Sequence, residues 1–253
     1  MPMRLAGKTA IVSGAARGQG AAHVAALVDA GAAVVAGDVL DQVQEVAGRL
    51  GDAVVGTHLD VTDPSSWASA VKAAESRFGQ VDILVNNAGI APFTPIIDGD
   101  IDSFDRVVAV NQRGVYLGMS AAAPSMRDTG GGSIINISSI DGLIGMPFVS
   151  GYVASKFAVR GMTKVAALEL APHGIRVNSV HPGYIDTPMI RAPMGDAMAD
   201  SLADQVPLGR LGTVSDIAGL VIFLASDDSS YCTGSEFVID GGVTAGHTPF
   251  TMG

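Results

Sequence analysis

Apolar residues along the chain form two alternating patterns. Short runs rich in valine, isoleucine and alanine predict buried β-strands at residues 8–13, 33–37, 54–59, 81–85, 133–137, 176–180 and 236–239. Between these runs, apolar residues recur every three or four positions and predict helices over residues 20–30, 101–126, 149–170 and 213–225, with another that begins at residue 63. Strands that alternate with helices in this way build parallel sheets that are covered on both faces. The pattern therefore predicts a doubly wound α/β fold.

Residues that favour helix starts support two of these boundaries. Asp63 precedes Pro64, which places a capping side chain before a proline that suits the first turn of a helix. Thr213 and Asp216 have the spacing of a capping box before the last predicted helix. No linker, repeat or low-complexity tract divides the pattern, so we expect one domain over residues 1–253.

The segment from residue 184 to residue 208 is the part of the chain least like a core. It combines prolines and methionines at positions Pro188, Met189, Pro193, Met194, Met198 and Pro207. Methionine side chains adapt to irregular apolar surfaces, and loops of this kind commonly carry binding residues. We expect a mobile substrate flap here, with an ordinary surface excursion as the alternative.

Charge and composition narrow the function. The 253 residues include 15 basic and 25 acidic side chains, and this net charge of -10 argues against binding to nucleic acid or an anionic membrane. One cysteine, Cys232, cannot form an internal disulfide, which is typical of a reducing compartment. No signal peptide is visible, and the longest apolar run, at 217–225, is too short to cross a bilayer. We expect a cytoplasmic protein without nucleic-acid or membrane partners.

A glycine-rich turn, Gly14-Ala-Ala-Arg-Gly-Gln-Gly20, joins the first predicted strand to the first predicted helix. Glycines let the backbone approach a pyrophosphate, and the helix N-terminus offers unpaired N–H groups. Asp38 ends the second strand, where a carboxylate accepts both ribose hydroxyls of NAD and repels a 2′-phosphate. Capping of the next segment is the alternative for Asp38, and Arg17 favours a 2′-phosphate instead. The carboxylate is the better placed of the two, which favours NAD(H).

Polar residues also follow the third and fourth predicted strands. Asp60 is placed to accept a hydrogen bond from an adenine amino group or, as the alternative, to cap a turn. Asn86 and Asn87 end the fourth strand, where amide side chains can tie neighbouring strands together. Gly89 follows them and can admit a cofactor closely.

Tyr152 and Lys156 lie four residues apart in a predicted helix and therefore on one helix face. A cation at ~4 Å in a medium of effective dielectric ~20 stabilises a phenolate by about 4 kcal/mol, or roughly three pKa units. The pair thus predicts a general acid/base with a lowered pKa. Ser139 lies upstream and offers a hydroxyl for the reacting oxygen.

The remaining polar and aromatic residues favour structural roles. Ser138 faces the opposite side of its strand from Ser139 and is predicted to be structural or to face the cofactor. His181 is predicted to pack or to form hydrogen bonds. Trp67 is predicted to anchor a helix. No metal site is predicted, because no ligand pattern links His23, His58, His173 and His247.

These motifs together resemble the short-chain dehydrogenase/reductase family over nearly the whole chain. The matching pieces, in order, are Gly14-x-x-x-Gly18-x-Gly20, Asp60, Asn86-Asn-Ala-Gly89, Asn111, Ser139, Tyr152-x-x-x-Lys156 and Pro182-Gly183 with Thr187. Within the family, the stretches 130–139, 176–183 and 229–236 are most similar to bacterial 3-alpha/20-beta-hydroxysteroid dehydrogenases. Two positions depart from the family pattern: Gln19 replaces the usual isoleucine or leucine, and Ser13 replaces threonine.

The resemblance implies a Rossmann-type fold and a role for each catalytic residue. Tyr152 would exchange a proton with the substrate oxygen, and Lys156 would lower the pKa of Tyr152 and hold the nicotinamide ribose. Ser139 would donate a hydrogen bond to the substrate oxygen. Asn111 would hold a water that links Lys156 to solvent, and Thr187 would bind the nicotinamide carboxamide.

The resemblance also implies the extent of the cofactor and substrate sites. Cofactor contacts are expected from Gly14, Arg17, Gly18, Gln19, Gly20, Asp38, Val39, Asp60, Val61, Asn87, Ala88, Gly89, Tyr152, Lys156, Pro182, Gly183, Ile185, Thr187 and Met189. Substrate contacts are expected from Ser139, Ile140, Met146, Phe148, Tyr152, Tyr184, Met189 and Met194. Their apolar character suits a small apolar ketone or alcohol, including a hydroxysteroid.

The implied activity is NAD(H)-dependent interconversion of a secondary alcohol and a ketone. A 3-oxoacyl-thioester reductase is the alternative enzyme, although it favours NADPH and a basic surface. A cofactor-binding regulator without activity is a further alternative, but such proteins usually lack the tyrosine or the lysine. The resemblance implies a homotetramer, with the helices over 101–126 and 149–170 and the C-terminal tail at its interfaces.

Overall fold

A computed structural model describes residues 3–246 of the chain. Seven parallel strands form one sheet in the order β3-β2-β1-β4-β5-β6-β7. The strands are β1 (Thr9–Ser13), β2 (Ala33–Asp38), β3 (Val54–His58), β4 (Ile83–Asn86), β5 (Gly132–Ile137), β6 (Ile175–Pro182) and β7 (Glu236–Ile239). The strand order reverses between β1 and β4, and doubly wound sheets bind ligands at the carboxyl ends of the strands beside such a point. The predicted α/β fold is confirmed.

Helices cover both faces of the sheet. They are α1 (Gly18–Asp29), α2 (Gln42–Leu50), α3 (Pro64–Arg77), α4 (Ile101–Val108), α5 (Gly114–Asp128), α6 (Ser150–Leu170), α7 (Pro188–Met194), α8 (Asp196–Ser201) and α9 (Val214–Ala225). Successive residues of a strand point to opposite faces. Val12 of β1 accordingly joins the cluster that includes α1 and α9, whereas its neighbour Ile11 joins the cluster that includes α3, α5 and α6.

Two predicted boundaries are confirmed by their hydrogen bonds. Asp63 accepts a hydrogen bond from the backbone of Ser65 at the start of α3, and Pro64 occupies the first turn. Thr213 and Asp216 form both hydrogen bonds of the capping box at the start of α9. These side chains satisfy N–H groups that a helix leaves unpaired at its first turn.

Three regions differ from the sequence-based expectation. Helix α2 was not predicted. Its buried residues are Val43 and Val46, and two apolar positions are too few to give a helical pattern. The helix predicted over 101–126 is helical throughout, but residues Ala109–Arg113 form a π-helical turn between α4 and α5 that the sequence did not predict. The segment 184–208 contains α7 and α8, and Arg191 of α7 forms ion pairs with Asp186, Asp196 and Asp200.

Within residues 3–246, no helix is both long enough and apolar enough to span a lipid bilayer.

Candidate active site

A cleft of about 650 Å³ opens where β1 and β4 end. The glycine-rich turn, the residues after β2, β3 and β4, the start of α6 and the start of α7 all contribute to its wall. Its volume lies in the ~300–1,000 Å³ range of small-molecule sites. The topology therefore gathers the residues of several predicted motifs around one cavity.

The glycine-rich turn is shaped by close backbone contacts. Gly14 and Gly18 have positive φ values of 66° and 57°, which favour glycine. A Cβ atom on Gly20 would lie 1.9 Å from the carbonyl oxygen of Gly14, so α1 can start here only without a side chain at this position. A Cβ atom on Gly14 would lie 2.8 Å from Cα of Ala88. The turn thus presses against the loop after β4 and exposes the N-terminus of α1 to the cleft.

Asp38 lies at the end of β2 and lines the cleft. Its Oδ2 accepts a hydrogen bond from the backbone N–H of Ala16 at 2.9 Å, and its Oδ1 accepts one from Leu40 at 3.0 Å. An ionised carboxylate has about four acceptor sites, so these two bonds fix its orientation and leave capacity for a ligand. The alternative role of helix capping is not observed, since Asp41 occupies the N-cap of α2. Arg17 is exposed and also lines the cleft.

Asparagine side chains tie the central strands together, as the sequence predicted. Nδ2 of Asn87 donates hydrogen bonds to the carbonyl oxygens of Ser13 and Gly14 at 3.0 and 3.1 Å. Oγ of Ser13 accepts hydrogen bonds from the backbone N–H groups of Asn87 and Ala88, both at 3.1 Å. Ser13 therefore provides the same hydroxyl acceptor as the threonine that the family usually has at this position. Nδ2 of Asn86 donates to Oδ1 of Asn136 at 2.9 Å and links β4 to β5.

Asp60 lines the cleft and also caps its own turn. Its Oδ1 accepts hydrogen bonds from the backbone N–H and the hydroxyl of Thr62, at 2.9 and 2.7 Å. Both roles proposed from the sequence are therefore compatible with its position.

The π-helical turn places Asn111 beside the start of α6. Its side chain is buried, with Oδ1 accepting from the backbone N–H of Ile90 at 2.9 Å. Nδ2 donates to the carbonyl oxygen of Ile90 at 2.8 Å and to Oγ of Ser155 at 3.2 Å. A Cβ atom on Gly89 would lie 3.5 Å from Oδ1 of Asn111 and 3.6 Å from Nζ of Lys156. The amide and the ammonium therefore approach the same point of the loop after β4.

Tyr152 and Lys156 both line the cleft from α6. Thr94 anchors the first turn of this helix, because its Oγ1 accepts a hydrogen bond from the backbone N–H of Gly151 at 2.9 Å. Nζ of Lys156 is buried and donates a hydrogen bond to the carbonyl oxygen of Ile137 at 2.8 Å. It lies 5.5 Å from the centroid of the Tyr152 ring. The helix thus presents the phenol and the ammonium to the same cavity.

Burial controls the protonation of this pair. It raises the pKa of Tyr152 above the ordinary value of a phenol, while a hydrogen bond with the Ser139 side chain acts in the opposite direction and the charge of Asp141 adds to the increase. Burial also lowers the pKa of Lys156 to about 8, against the influence of Asp141. The direction for Tyr152 is opposite to the one the sequence predicted. Removal from water is the largest influence on the phenol, and the hydrogen bond of the Lys156 ammonium goes to Ile137.

Ser139 follows β5 and is held at two atoms. Its Oγ accepts a hydrogen bond from the backbone N–H of Asp141 at 3.0 Å. Its carbonyl oxygen is 2.9 Å from Nδ1 of His181, whose Nε2 is 2.9 Å from Oγ of Ser179. Burial lowers the pKa of His181, so its neutral ring donates through Nδ1 and accepts at Nε2. The predicted structural role of His181 is confirmed, and Ser138 is structural as well, with Oγ donating to the carbonyl oxygen of Lys156.

Several predicted contacts do not line the cleft. Gly183 lies against β7, where a Cβ atom would be 2.7 Å from Cα of Asp240, and Ile185 is packed in the core beside it. Ile140 is 2% exposed and also belongs to the interior. Of the expected substrate contacts, Tyr152 and Met189 line the cleft, whereas the lining does not include Ser139, Ile140, Met146, Phe148, Tyr184 and Met194. Of the expected cofactor contacts, it does not include Pro182, Gly183 and Ile185.

The cleft also contains residues that sequence reasoning missed. These are Leu40, Leu59, Ile90, Ala91, Pro92, Arg106, Val110, Ile137, Pro188, Ala192 and Pro193. Most of them follow a strand or belong to the flap, so their position after a predicted strand was a usable signal. Arg106 lies on the exposed face of α4, where a cation is ordinary and gives no signal. Asp141, a buried acid two residues after Ser139, was missed too.

The residues present fit a nicotinamide dinucleotide. The glycine turn presents a helix N-terminus, and Arg17 and Arg106 add positive charge to the lining for a pyrophosphate. Gln19 supplies a further indication, because its Oε1 is buried and has no hydrogen-bond partner in residues 3–246. Such an atom calls for a donor from a ligand. The same described residues contain no cluster of three or more histidine, cysteine or acidic side chains that would hold a metal, and His247 lies outside them.

Comparison with known proteins gives concordant matches. The family model described as enoyl-(acyl carrier protein) reductase matches residues 14–244. A protein of Mycobacterium bovis named 3-alpha-(or 20-beta)-hydroxysteroid dehydrogenase is 51% identical over 97% of this chain and 93% of its own length. A trans-4-hydroxycyclohexanecarboxylate dehydrogenase of Sinomonas cyclohexanicum is 46% identical over 96% of this chain and 95% of its own. The crystal structure of a short-chain type dehydrogenase/reductase from Mycobacterium marinum superposes with a TM-score of 0.91, at 39% identity, over 97% of this chain and 98% of the other.

Proposed function

The chain belongs to the short-chain dehydrogenase/reductase family of oxidoreductases, and from that premise we propose that it interconverts an apolar secondary alcohol and its ketone with NAD(H). The observation that carries the proposal is the presentation of Tyr152 and Lys156 to a dinucleotide-sized cleft by one face of α6. Relatives named as dehydrogenases of hydroxysteroids and of a cyclohexane carboxylate support a cyclic, largely apolar substrate.

The bound nicotinamide supplies or accepts the hydride, and this chain's residues control the proton. Because burial raises the pKa of Tyr152, its phenol stays protonated until it reacts and is suited to donate that proton to a carbonyl oxygen. Ser139 accepts a hydrogen bond from Asp141 through Oγ, which leaves the hydroxyl hydrogen to donate to the same oxygen. In alcohol oxidation, Tyr152 takes the proton back.

Lys156 and Asn111 complete the proposed proton-transfer set. Lys156 uses one of its three donors on Ile137 and keeps two for ribose hydroxyls. Asn111 is fixed by Ile90 and Ser155 and sits next to Lys156 across Gly89. We assign to Asn111 the positioning of a water between Lys156 and solvent, and to Thr187, which lines the cleft, the nicotinamide carboxamide.

A panel of ketones and alcohols tests this function directly. The panel includes steroids, cyclohexanones and short open-chain ketones, and the oxidation of NADH is followed by its absorbance. We expect turnover of cyclic ketones, with larger kcat/KM for apolar rings because the flap contributes Met189 and Pro193 to the cleft. Absence of turnover across the panel, with NADH bound, would leave the non-catalytic regulator as the better description.

Preference for NADH over NADPH depends on Asp38. We expect Asp38→Asn to weaken NADH binding by about ten- to a hundredfold, because hydrogen bonds to a charged group contribute about 1.5–3 kcal/mol each. NADPH binding should weaken less or improve, since the charge that opposes a 2′-phosphate is gone. Both constants are measured by titration of nucleotide fluorescence. Asp29→Asn, an exposed carboxylate at the end of α1, is the matched control. Tighter NADPH than NADH binding by the unaltered protein would refute the role given to Asp38.

A 3-oxoacyl-thioester reductase is the second candidate, favoured by the acyl-carrier description of the matching family model. The acidic surface and the carboxylate of Asp38 oppose it, since an acidic carrier and a 2′-phosphate both require positive charge. Acetoacetyl thioesters in the same panel separate the two candidates, because the thioester reductase would use them with NADPH.

We also propose a homotetramer in the cytoplasm. Exposed apolar side chains on α5 and α6, among them Tyr116, Val165 and Leu168, support association through these helices. The single cysteine supports a reducing compartment. Sedimentation velocity measures the assembly.

A further inference from the structure

Thr94 caps α6 from a loop that lies 57 residues earlier in the chain. The N-cap residue of this helix, Val149, forms no side-chain hydrogen bond to the first turn. Oγ1 of Thr94 takes that role, because it accepts a hydrogen bond from the backbone N–H of Gly151 at 2.9 Å. Helix starts leave such N–H groups unpaired, and a side chain at the N-cap itself normally satisfies them. The start of α6 is therefore held by the loop after β4.

Thr94 is also bound to this helix start through its backbone, and it is 2% exposed. Its N–H donates a hydrogen bond to the carbonyl oxygen of Phe148 at 2.7 Å, and its carbonyl oxygen accepts one from Oγ of Ser150. Phe148 has a φ of 67°, a left-handed conformation that bulky residues rarely adopt and that persists where neighbouring structure enforces it. Thr94 thus forms hydrogen bonds with three of the four residues that precede Tyr152.

Gly151 lies between Thr94 and α4. A Cβ atom on Gly151 would lie 3.2 Å from Cδ2 of Phe104 and 3.5 Å from Cβ of Val107, so α4 packs directly against the helix start. The hydrogen bond from Gly151 to Thr94 and the contact with α4 together fix the backbone at this point. Because Tyr152 is the next residue, the direction in which its side chain leaves the helix depends on both.

The loop that carries Thr94 is also part of the cleft wall. Residues 90–92 line the cleft. Asn111 holds one end of this segment through the backbone N–H and carbonyl oxygen of Ile90, and Thr94 holds the other end against α6. The segment is thus fixed at both ends, and its position is linked to that of Tyr152.

We propose that Thr94 is a positioning residue for Tyr152: its hydroxyl fixes the start of α6, so that the phenol is already placed for proton transfer when the substrate binds. The proposal rests on the ketone and alcohol oxidoreductase function given above. Thr94 does not line the cleft, so its influence passes through Gly151. A misplacement of about 1 Å can lower a rate about a hundredfold, so a hydroxyl outside the cleft can have a large effect on turnover.

Thr94→Val tests this role, because valine keeps the shape of threonine and both backbone hydrogen bonds and removes the hydroxyl. We expect kcat on any ketone that the protein reduces to fall about ten- to a hundredfold, while KM and the dissociation constant of NADH stay within about twofold. Steady-state kinetics and nucleotide titration measure these quantities. Thr94→Ser keeps the hydroxyl and should recover most of kcat. An unchanged kcat in Thr94→Val, or a loss that appears in KM or in NADH binding instead, would overturn the proposal.

Thr213→Val is the matched control. Oγ1 of Thr213 accepts a hydrogen bond from the backbone N–H of Asp216 at the start of α9, and Thr213 lies outside the cleft. The same atoms are therefore exchanged and a helix cap is lost again, so Tm should fall by up to about 8 °C while kcat is unchanged. Equal losses of kcat in the two variants would mean that Thr94 acts through the stability of the fold and not through Tyr152.

Combination with Tyr152→Phe gives a second readout. Residues that act through one group have non-additive effects on the rate. In the Tyr152→Phe protein, Thr94→Val should lower the remaining rate, measured in single turnover, by less than about twofold. A second full loss of about ten- to a hundredfold there would show that Thr94 acts on a group other than the phenol.

Hydrogen exchange tests the anchor even if the unaltered protein reduces no ketone. In that case the proposed function is wrong, but the backbone amides of residues 148–153 should still exchange at least about twofold faster in Thr94→Val than in the unaltered protein. The amides of α9 should exchange at the same rate in both proteins. Equal exchange over residues 148–153 would show that the start of α6 does not depend on Thr94, and the inference would then be wrong whatever the protein's activity.

Discussion

Tyr152→Phe lowers kcat by about 10²–10⁴-fold on any ketone that the protein reduces, while the dissociation constant of NADH stays within about twofold. The phenol is the group to which we assign proton transfer to the carbonyl oxygen, and phenylalanine preserves the ring that α6 presents to the cleft. Because the hydroxyl is removed without a change in packing, the loss should appear in kcat and not in thermal stability. Steady-state kinetics and nucleotide titration measure the two quantities.

Tyr231→Phe is the matched control for this substitution, since Tyr231 is fully exposed and lies outside the cleft. It should retain the activity of the unaltered protein. A Tyr152→Phe protein that keeps most of its activity on a true substrate would show that another group transfers the proton, and the assignment of Tyr152 would be wrong.

Lys156 adds a pH dependence to the same reaction. Burial lowers the pKa of Lys156 to about 8. The side chain therefore carries a positive charge at neutral pH and loses that charge as the pH rises through about 8. Without that charge, the phenolate formed when Tyr152 gives up its proton is less stable in a buried site. We therefore expect Tyr152 and Lys156 to act as a coupled pair, in which the lysine limits the pH range over which the tyrosine works.

The sequence predicted that Tyr152 and Lys156 share a helix face, but not the direction in which the pKa of Tyr152 is shifted. The spacing of Tyr152 and Lys156 determines the shared face, and that much is independent of the rest of the fold. The pKa of Tyr152 depends instead on how deeply the phenol is buried and on where the lysine amine points. The direction of the amine depends on Ile137, which lies on β5 and contributes its backbone carbonyl. A carbonyl group offers no sequence signal, so the direction of the shift was not predictable.

In the fold too, the elements that were predicted are those with a clear local sequence pattern. Strands such as β1 and β2 were predicted because they consist mainly of apolar or small residues and are buried along nearly their whole length. Helix α2 was missed because its stripe of two valines is too short to give a helical period. The π-helical turn at Asn111 was missed because one extra residue in a helix leaves the apolar pattern on either side nearly intact. Its consequence is functional, since this turn directs Asn111 toward Ile90 and Ser155.

Gly20→Ala should weaken cofactor binding and lower the stability of the fold. It is the second of the two substitutions with the largest expected effects. The new Cβ atom would lie 1.9 Å from the carbonyl oxygen of Gly14 and 2.6 Å from Nδ2 of Asn87. Neither contact can be relieved by a flexible side chain end, because one atom is backbone and the other is tied to Ser13 and Gly14. The start of α1 must therefore move away from the turn that it packs against.

The size of the effect follows from the cost of overpacking. A forced backbone shift of this kind costs about 1–3 kcal/mol and sometimes more. In a chain of this length each kcal/mol lowers Tm by about 2–4 °C, so we expect a fall of roughly 2–12 °C in a thermal melt. The dissociation constant of NADH should rise at least about tenfold, because the displaced N–H groups of α1 are those that face the cleft.

Gly48→Ala in α2 is the control that separates steric conflict from the mere loss of a glycine. A Cβ atom on Gly48 would meet nothing within 4 Å, and the residue is exposed within a helix. Replacing such a glycine with alanine stabilises a helix by about 0.8–1.0 kcal/mol, so Tm should rise while NADH affinity is unchanged. The two substitutions add the same methyl group and should move Tm in opposite directions. A Gly20→Ala protein that melts and binds NADH like the unaltered protein would mean that the turn from Gly14 to Gly20 can widen, and that the close approach of Gly20 to Gly14 is not required for the site.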